Sequence, residues 1–271
     1  MDKVGLWVNS SKPEIKPLAL QITHWFRTRQ WEVIPAWGEN KGEPIEFLIA
    51  LGGDGTLLEA AREAAPWQIP VLGVNLGRLG FLCEIEQDEI FPALEKVVRR
   101  EFSVQERLML EAKVKRSDGD DHKFTVLNDV VFLRHQNDGL VTLQANLSGE
   151  PSVAYPADGM IIATPTGSTA YALSAGGPVV SPDVQAIVIT PLAAHSLSAR
   201  PMVVSHLEKI EILLAGGREC QVTFDGQQSL TLRPGETVQI NLAPLKALIL
   251  RLGKRSFPQV VREKLRDRWH D

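Results

Sequence analysis

Two hydrophobic periods divide this chain. Over residues 1–102, short apolar runs alternate with stretches whose apolar residues recur every three or four positions. Residues 4–8, 31–34, 47–51 and 70–74 read as buried strands. Ile15, Leu18, Ile22 and Trp25 form one face of a helix, Leu57, Leu58 and Ala61 mark a second, and residues 88–99 a third that opens on an acidic residue. Such alternation predicts a parallel sheet covered on both faces, a Rossmann-like α/β domain.

Beyond Ser103 the period falls to two. Leu108, Leu110, Ala112 and Val114 alternate with charged residues, and Val141, Leu143, Ala145 and Leu147 repeat the pattern. So do Ile210, Ile212 and Leu214, and again Val238, Ile240 and Leu242. Asp118-Gly119, Asp138-Gly139, Gly216-Gly217 and Pro234-Gly235 are the turns between them. This predicts an all-β, sandwich-like domain over residues 103–252. After Leu252 a helical pattern returns, with Val260, Val261, Leu265 and Trp269 roughly on one face. That stripe has to be buried, so the C-terminal segment, residues 253–271, is expected to pack back on the N-terminal domain, residues 1–102.

Composition narrows the partners. A net charge of −4 disfavours nucleic acid or an anionic membrane as the main partner. The basic tail residues Arg262, Lys264, Arg266 and Arg268 are interrupted by Glu263 and Asp267, which suits a solvated helix face. No apolar stretch approaches the ~20 residues that cross a bilayer, and the N-terminus lacks a signal layout. Cys83 and Cys220 are far apart and the six histidines never fall at metal-ligand spacing, so free thiols in a reducing cytoplasm and no zinc site are expected.

The chemistry concentrates at Gly52-Gly53-Asp54-Gly55-Thr56, between a strand and a helix. Glycines let a backbone approach a ligand, and a turn that opens a helix aims main-chain N–H groups at an anion. The lysine of a Gly-x-x-x-x-Gly-Lys-Ser/Thr loop is absent, and the dinucleotide pattern Gly-x-Gly-x-x-Gly fails at Leu58. An aspartate beside a polyphosphate can take a proton from an attacking hydroxyl or hold Mg²⁺ near the phosphates. It can also cap a helix in a tight turn. The five residues leave all three open.

In sequence, this loop resembles the shared motif of a superfamily containing NAD kinases, 6-phosphofructokinases and the diacylglycerol and sphingosine kinases. Further segments are similar to NAD kinases in particular. They are the glycine motif over residues 73–82, Asn128-Asp129, the long segment over residues 158–178, residues 191–201, which include His195 and Arg200, and Asp225-Gly226-Gln227. The resemblance implies transfer of the terminal phosphoryl group of ATP, or of polyphosphate, to the 2′-hydroxyl of the adenosine ribose of NAD, with Mg²⁺.

Carried over residue by residue, the resemblance implies that Asp54 is the base and that Gly52, Gly53, Gly55 and Thr56 serve the donor phosphates. Asn128 and Asp129 would hold the adenine or ribose end of NAD, with Asp129 one methylene shorter than the family's usual glutamate. Asp158 would approach the nicotinamide half. Phe81, Thr169, Ala170, Tyr171 and Ser174 would line the pocket, and Gln227 would add a contact. The family's habit implies a homodimer or homotetramer. The rival readings are a lipid kinase of the same superfamily, a phosphofructokinase, and a non-catalytic dinucleotide-binding sensor. Donor range, NAD against NADH preference and feedback by NADP(H) are not set by these motifs.

Overall fold

The computed structural model describes residues 2–8, 15–39, 41–77, 80–116, 119–135, 139–151 and 154–265. Arg78 and Leu79 of the second glycine motif, Asp118 and Asp138 of two expected turns, and Arg266, Asp267, Arg268 and Trp269 of the tail lie outside the described residues. The chain divides into two compact units, Met1–Glu106 with Ala247–Asp271, and Arg107–Lys246.

The first unit runs through β1 (Lys3–Val8), α1 (Lys16–Arg27), β2 (Glu32–Ile34), β3 (Phe47–Gly52), α2 (Asp54–Ala64), β4 (Val71–Asn75), β5 (Ile85–Glu86), α3 (Ile90–Val98) and β6 (Ser103–Arg107). The second holds β7 (Leu110–Lys115), β8 (His122–Val126), β9 (Asp129–Arg134), β10 (Val141–Leu147), β11 (Glu150–Pro151), β12 (Tyr155–Ala157), β13 (Gly159–Ala163), α4 (Tyr171–Ser174), β14 (Ala186–Leu192) and β15 (Met202–Ser205). It continues with β16 (Ile210–Gly216), β17 (Cys220–Phe224), β18 (Gln228–Leu232) and β19 (Thr237–Leu242). The chain then returns to the first unit as β20 (Ala247–Arg251) and α5 (Phe257–Leu265).

The first sheet has the order β2-β1-β3-β4-β20-β6, with β5 beside β4, and its pairs from β2 to β20 are parallel. All six residues of β3 are buried, as expected of a strand covered on both faces. Phe47, Ile49 and Leu51 pack with Leu72 and Val74 of β4 against Ile22 and Phe26 of α1 and Ile90, Leu94 and Val97 of α3. Gly73, between Leu72 and Val74, faces the other way, and a Cβ there would lie 2.6 Å from Leu57 Cδ2. Helix α2 therefore sits close against the backbone of β4.

The period-two reading places β20 with the β-rich stretch, but it pairs in parallel with β4 through Ile249 and Val71. Alternation alone does not say which sheet a strand joins. Along α5, Val260 is buried while Leu265 is largely exposed, so the buried stripe is narrower than the sequence suggests.

The second unit is built from two antiparallel sheets, β11-β10-β16-β19-β7-β8 with β12 beside β10, and β15-β14-β13-β9-β17-β18. Their inner faces share one core. Leu143, Ile212, Val238 and Ala112 of the first sheet meet Phe132, Ile162, Val222 and Ile187 of the second. Each large aliphatic side chain buried there contributes about 1.5–3 kcal/mol. The outer face of the second sheet is covered too, because Val131, Ile161 and Val188 pack with Ala172 and Val180 of the segment that follows β13. Double coverage explains why β13 (Gly-Met-Ile-Ile-Ala) is buried throughout, whereas β10 alternates.

Candidate active site

In the first unit, the candidate loop lies at the carboxyl ends of the adjacent strands β3 and β4, the usual ligand edge of an open α/β sheet. Its glycines divide into two kinds. A Cβ on Gly52 would overlap Thr56 Oγ1 and Cβ, so packing of the first turn of α2 demands that glycine. Thr56 is correspondingly buried. Gly53 caps α2 with an ordinary extended backbone (φ −118°, ψ −166°), and a Cβ there would meet nothing nearer than Asn75 Oδ1 at 4.0 Å. A Cβ on Gly55 would meet nothing within 4 Å. Protein contacts do not explain these two glycines. Their absent side chains leave the first turn of the helix clear on that side, with room for a ligand to approach.

Asp54 is clamped by main chain. Its Oδ2 accepts from Phe81 N–H at 2.6 Å, its Oδ1 accepts from Cys83 N–H at 3.0 Å, and Leu82 N–H reaches both oxygens at 3.2 Å. A Cβ on Gly80 would overlap that carboxylate, which ties the second glycine motif to the first. Burial, with the Asp54 carboxylate alongside, holds the Cys83 thiol far above the usual range. The clamping segment is itself braced. Glu84, 4% exposed, accepts from Leu252 N–H at 2.8 Å and Lys254 N–H at 2.7 Å, and Arg251 donates to the Leu82 carbonyl at 3.3 Å. Asn75 completes the loop's surroundings. Its Nδ2 donates to the Gly77 carbonyl at 2.8 Å, while its buried Oδ1 has no partner among the described residues.

In the second unit, Asn128 precedes β9 and Asp129 begins it. Their side chains point to opposite faces of the extended chain, and Asn128 is half-buried while Asp129 is 5% exposed. Burial, then the nearby Asp225 carboxylate, pushes the Asp129 carboxyl up to about 7. The peptides around the pair are held from both sides. Thr164 donates its N–H to the Asn128 carbonyl at 2.8 Å and its hydroxyl to the Leu127 carbonyl at 2.6 Å. Asp225 accepts from the N–H groups of Leu127, Asn128 and Asp129 at 3.0, 2.7 and 3.2 Å. A Cβ on Gly167 would overlap the Asn128 carbonyl, so the turn before α4 lies directly against the pair.

That turn leads to Thr169, Ala170 and Tyr171. Ser168 is fully buried, donating to the Pro165 carbonyl at 2.7 Å and accepting from Val180 N–H at 3.0 Å, which locks the segment. Tyr171 is 43% exposed and shares an open pocket of about 600 Å³ with Asp158, Arg134, Leu192 and Gln221. Arg134 Nε donates to Asp158 Oδ1 at 2.5 Å.

Residues 35–102 match the family model of the ATP-NAD kinase N-terminal domain, and residues 127–252 that of the ATP-NAD kinase C-terminal domain. The chain belongs to the ATP-NAD kinase family. It is 37% identical over 279 residues to an NAD kinase of Heliobacterium modesticaldum, covering 98% of this chain and 99% of the relative. It is 41% identical to an NAD kinase of Moorella thermoacetica, covering 98% and 90%. Among solved structures, yeast NADH kinase complexed with NADH superposes with a TM-score of 0.86 at 26% identity, covering 97% of this chain and 87% of that one. An Archaeoglobus fulgidus NAD kinase in complex with ATP superposes with a TM-score of 0.77 at 26% identity, covering 95% and 98%. The match of the second unit removes the lipid-kinase and phosphofructokinase readings, which rested on the first loop alone.

Within this ATP-NAD kinase chain, the residues expected at the site form three groups. Gly52, Gly53, Asp54, Gly55, Thr56 and Phe81 gather at the first loop, where Phe81 contributes its main-chain N–H to Asp54. Asn128 and Asp129 adjoin the turn that carries Thr169 and Ala170. Asp158 and Tyr171 line one pocket. Ser174 is exposed at the end of α4, and Gln227 is exposed in the turn between β17 and β18. Sequence reasoning missed Asp225, Arg134, Glu84 and Asn75. Asp225 sat inside a quoted motif, but its partners lie nearly a hundred residues earlier, so spacing carried no signal.

Proposed function

We propose that this chain catalyses transfer of the terminal phosphoryl group of ATP to the 2′-hydroxyl of the adenosine ribose of NAD, giving NADP and ADP. The observation that carries this reading is the pair Gly53 and Gly55. They stand open at the start of α2, beside a carboxylate already oriented by three main-chain N–H groups. The three donors make four contacts, two on each oxygen, with Leu82 N–H shared between the two at 3.2 Å; a substrate hydroxyl would take one of those shared positions. In this reading the O2′–H proton passes to Asp54, the O2′–Pγ bond forms, and the bond from Pγ to the bridging oxygen breaks to release ADP.

The first turn of α2 receives the donor phosphates through its N–H groups and dipole. Mg²⁺, when bound, neutralises charge on those phosphates. No group of three or more His, Cys, Asp or Glu side chains suited to a metal gathers among the described residues. Asn75, whose buried Oδ1 has no partner among the described residues, is the residue that would hold the hydrated ion beside those phosphates, where it would supply charge neutralisation.

The second unit supplies the acceptor pocket. The Asp129 carboxylate, with no donor among the described residues, suits a ribose hydroxyl. Half-buried Asn128 serves the adenosine end, while Asp158 and Tyr171 serve the nicotinamide half. Exposed Met202 and Val203 on the edge strand β15 support assembly as a homodimer or homotetramer. The two free cysteines, Cys83 and Cys220, are compatible with a reducing cytoplasm.

The test is incubation with NAD, ATP and Mg²⁺, with NADP measured by an NADP-specific dehydrogenase. NADP formation that is lost in Asp54→Asn supports the reading. Intact NAD binding with no NADP would instead identify a dinucleotide sensor.

A further inference from the structure

We infer that Asp225 is a positioning residue for the NAD-binding pair, holding the peptides of Asn128 and Asp129 in the geometry that presents both side chains to the dinucleotide. The inference rests on the assignment of that pair to the acceptor pocket.

Asp225 occupies the turn between β17 and β18. Gln227 N–H donates to the Phe224 carbonyl at 3.0 Å, and both central residues have positive φ, +51° at Asp225 and +64° at Gly226. This is the pattern of a type I′ hairpin turn. Asp-Gly suits such a turn, as would asparagine or glycine at the first of these positions, so the turn alone does not single out a carboxylate. What the turn does not require is the reach of the Asp225 carboxylate, which accepts from three consecutive N–H groups at 3.0, 2.7 and 3.2 Å. Its own N–H donates to the Asp129 carbonyl at 3.0 Å, closing the contact from the other side. Phe224, fully buried and stacked on Phe124 at 3.9 Å, anchors the base of the turn.

Two replacements separate positioning from turn-making. Asp225→Asn keeps a residue the turn favours, but places an NH₂ against one of the three N–H donors. Asp225→Gly relieves the positive φ and removes the carboxylate. If Asp225 only makes the turn, both variants keep wild-type KM for NAD and melt no lower than the parent. Positioning predicts that KM for NAD rises about 10- to 100-fold, the scale of losing one or two hydrogen bonds to a charged group. KM for ATP should stay within about twofold. The amides of Leu127, Asn128 and Asp129 should also lose hydrogen-exchange protection, a readout independent of turnover.

Asn128→Ala and Asp129→Asn run alongside. If these raise KM for NAD and the Asp225 variants do too, the inference stands. If they raise it while both Asp225 variants remain at wild type, the inference is overturned and the pair assignment survives. If they leave it unchanged, the pair assignment fails and the inference falls with it.

Discussion

The two units use one set of bonds with the roles reversed. In the first, the carboxylate belongs to the residue proposed for catalysis, and the three consecutive N–H groups that hold it come from the supporting segment of Phe81, Leu82 and Cys83. In the second, the carboxylate belongs to the supporting residue, Asp225, and the N–H groups come from Leu127 and the proposed binding pair. A carboxylate that accepts several main-chain N–H groups is fixed in orientation by strong, charge-assisted bonds. In the first unit this aims an oxygen, and in the second it aims two side chains. The difference teaches where substitutions should hurt. On the proposed roles, losing the carboxylate should end the chemistry in one unit and loosen binding in the other.

The largest effect should come from testing that contrast at Asp54. Asp54→Asn is nearly isosteric, and turnover is expected to fall by about 10²- to 10⁴-fold while NAD still binds. Gly80→Ala should give a similar loss without touching the carboxylate chemically, because its Cβ would push the carboxylate out of its clamp. Wild-type turnover in Asp54→Asn removes the base assignment. A normal Gly80→Ala enzyme would show that the clamp does not aim it.

The glycines of the loop sharpen the same contrast. Val at position 53 suits the extended backbone found there and its Cβ meets no protein atom closely, so Gly53→Val should lose no more than the roughly 1 kcal/mol that a poorer helix cap costs. Its turnover should drop by about 100-fold or more, since the branched side chain displaces the donor phosphates. Gly52→Ala should do the reverse in the melt, losing about 1–3 kcal/mol through overlap with Thr56. Equal melting of the two variants would contradict the division of these glycines into packing and ligand types.

Asp129 carries a pH signature. Its folded carboxyl is pushed up to about 7, first by burial and then by Asp225, against about 3.9 in an unfolded chain. The folded state thus holds the proton more tightly than the unfolded one. The stability this contributes is fully present below about pH 4, falls as pH rises through 7, and is flat above. Asp129→Asn should flatten that slope and leave the protein more stable at pH 8 than the parent, by on the order of a few kcal/mol. Urea midpoints at pH 5 and pH 8 decide it, and parallel shifts in the two proteins would sink the claim. A more stable variant that binds NAD poorly is the usual mark of a residue kept for function.

How far the residues announced this arrangement depends on distance along the chain. The first unit was legible because its sheet is made of continuous apolar runs and its loop is one contiguous motif. Sandwich strands such as β10 and β16 were legible from clean alternation. β20 was misplaced because alternation over five residues is the same in either sheet, and only its parallel pairing with β4 decides. The clamp on Asp54 was half visible: both glycine motifs could be read, but not that the N–H groups of one satisfy the carboxylate of the other. Asp225 was invisible as a support, because a hairpin aspartate reads as a turn residue until its partners 96 to 98 positions away are known. Glu84, buried to accept two N–H groups from the segment just after the returning strand β20, belongs to the same class.

The smallest effect concerns Arg134, and it tests whether the pocket around Asp158 is held as firmly as the pair at Asn128. The Arg134–Asp158 contact is partly exposed, 30% and 40% by side chain, so solvent screens it. Arg134→Gln should cost no more than about 1 kcal/mol, a shift in Tm of about 2–4 °C for a chain of this size. NAD affinity should respond even so, because the variant frees a carboxylate oxygen in the pocket shared with Tyr171. Calorimetric binding of NAD beside a melting curve separates the two effects. A large drop in Tm would mean that this ion pair braces the sheet as Asp225 braces its loop. A small drop with altered NAD affinity would mean that the nicotinamide side is oriented by a screened, adjustable contact, while the adenosine side is held by main chain.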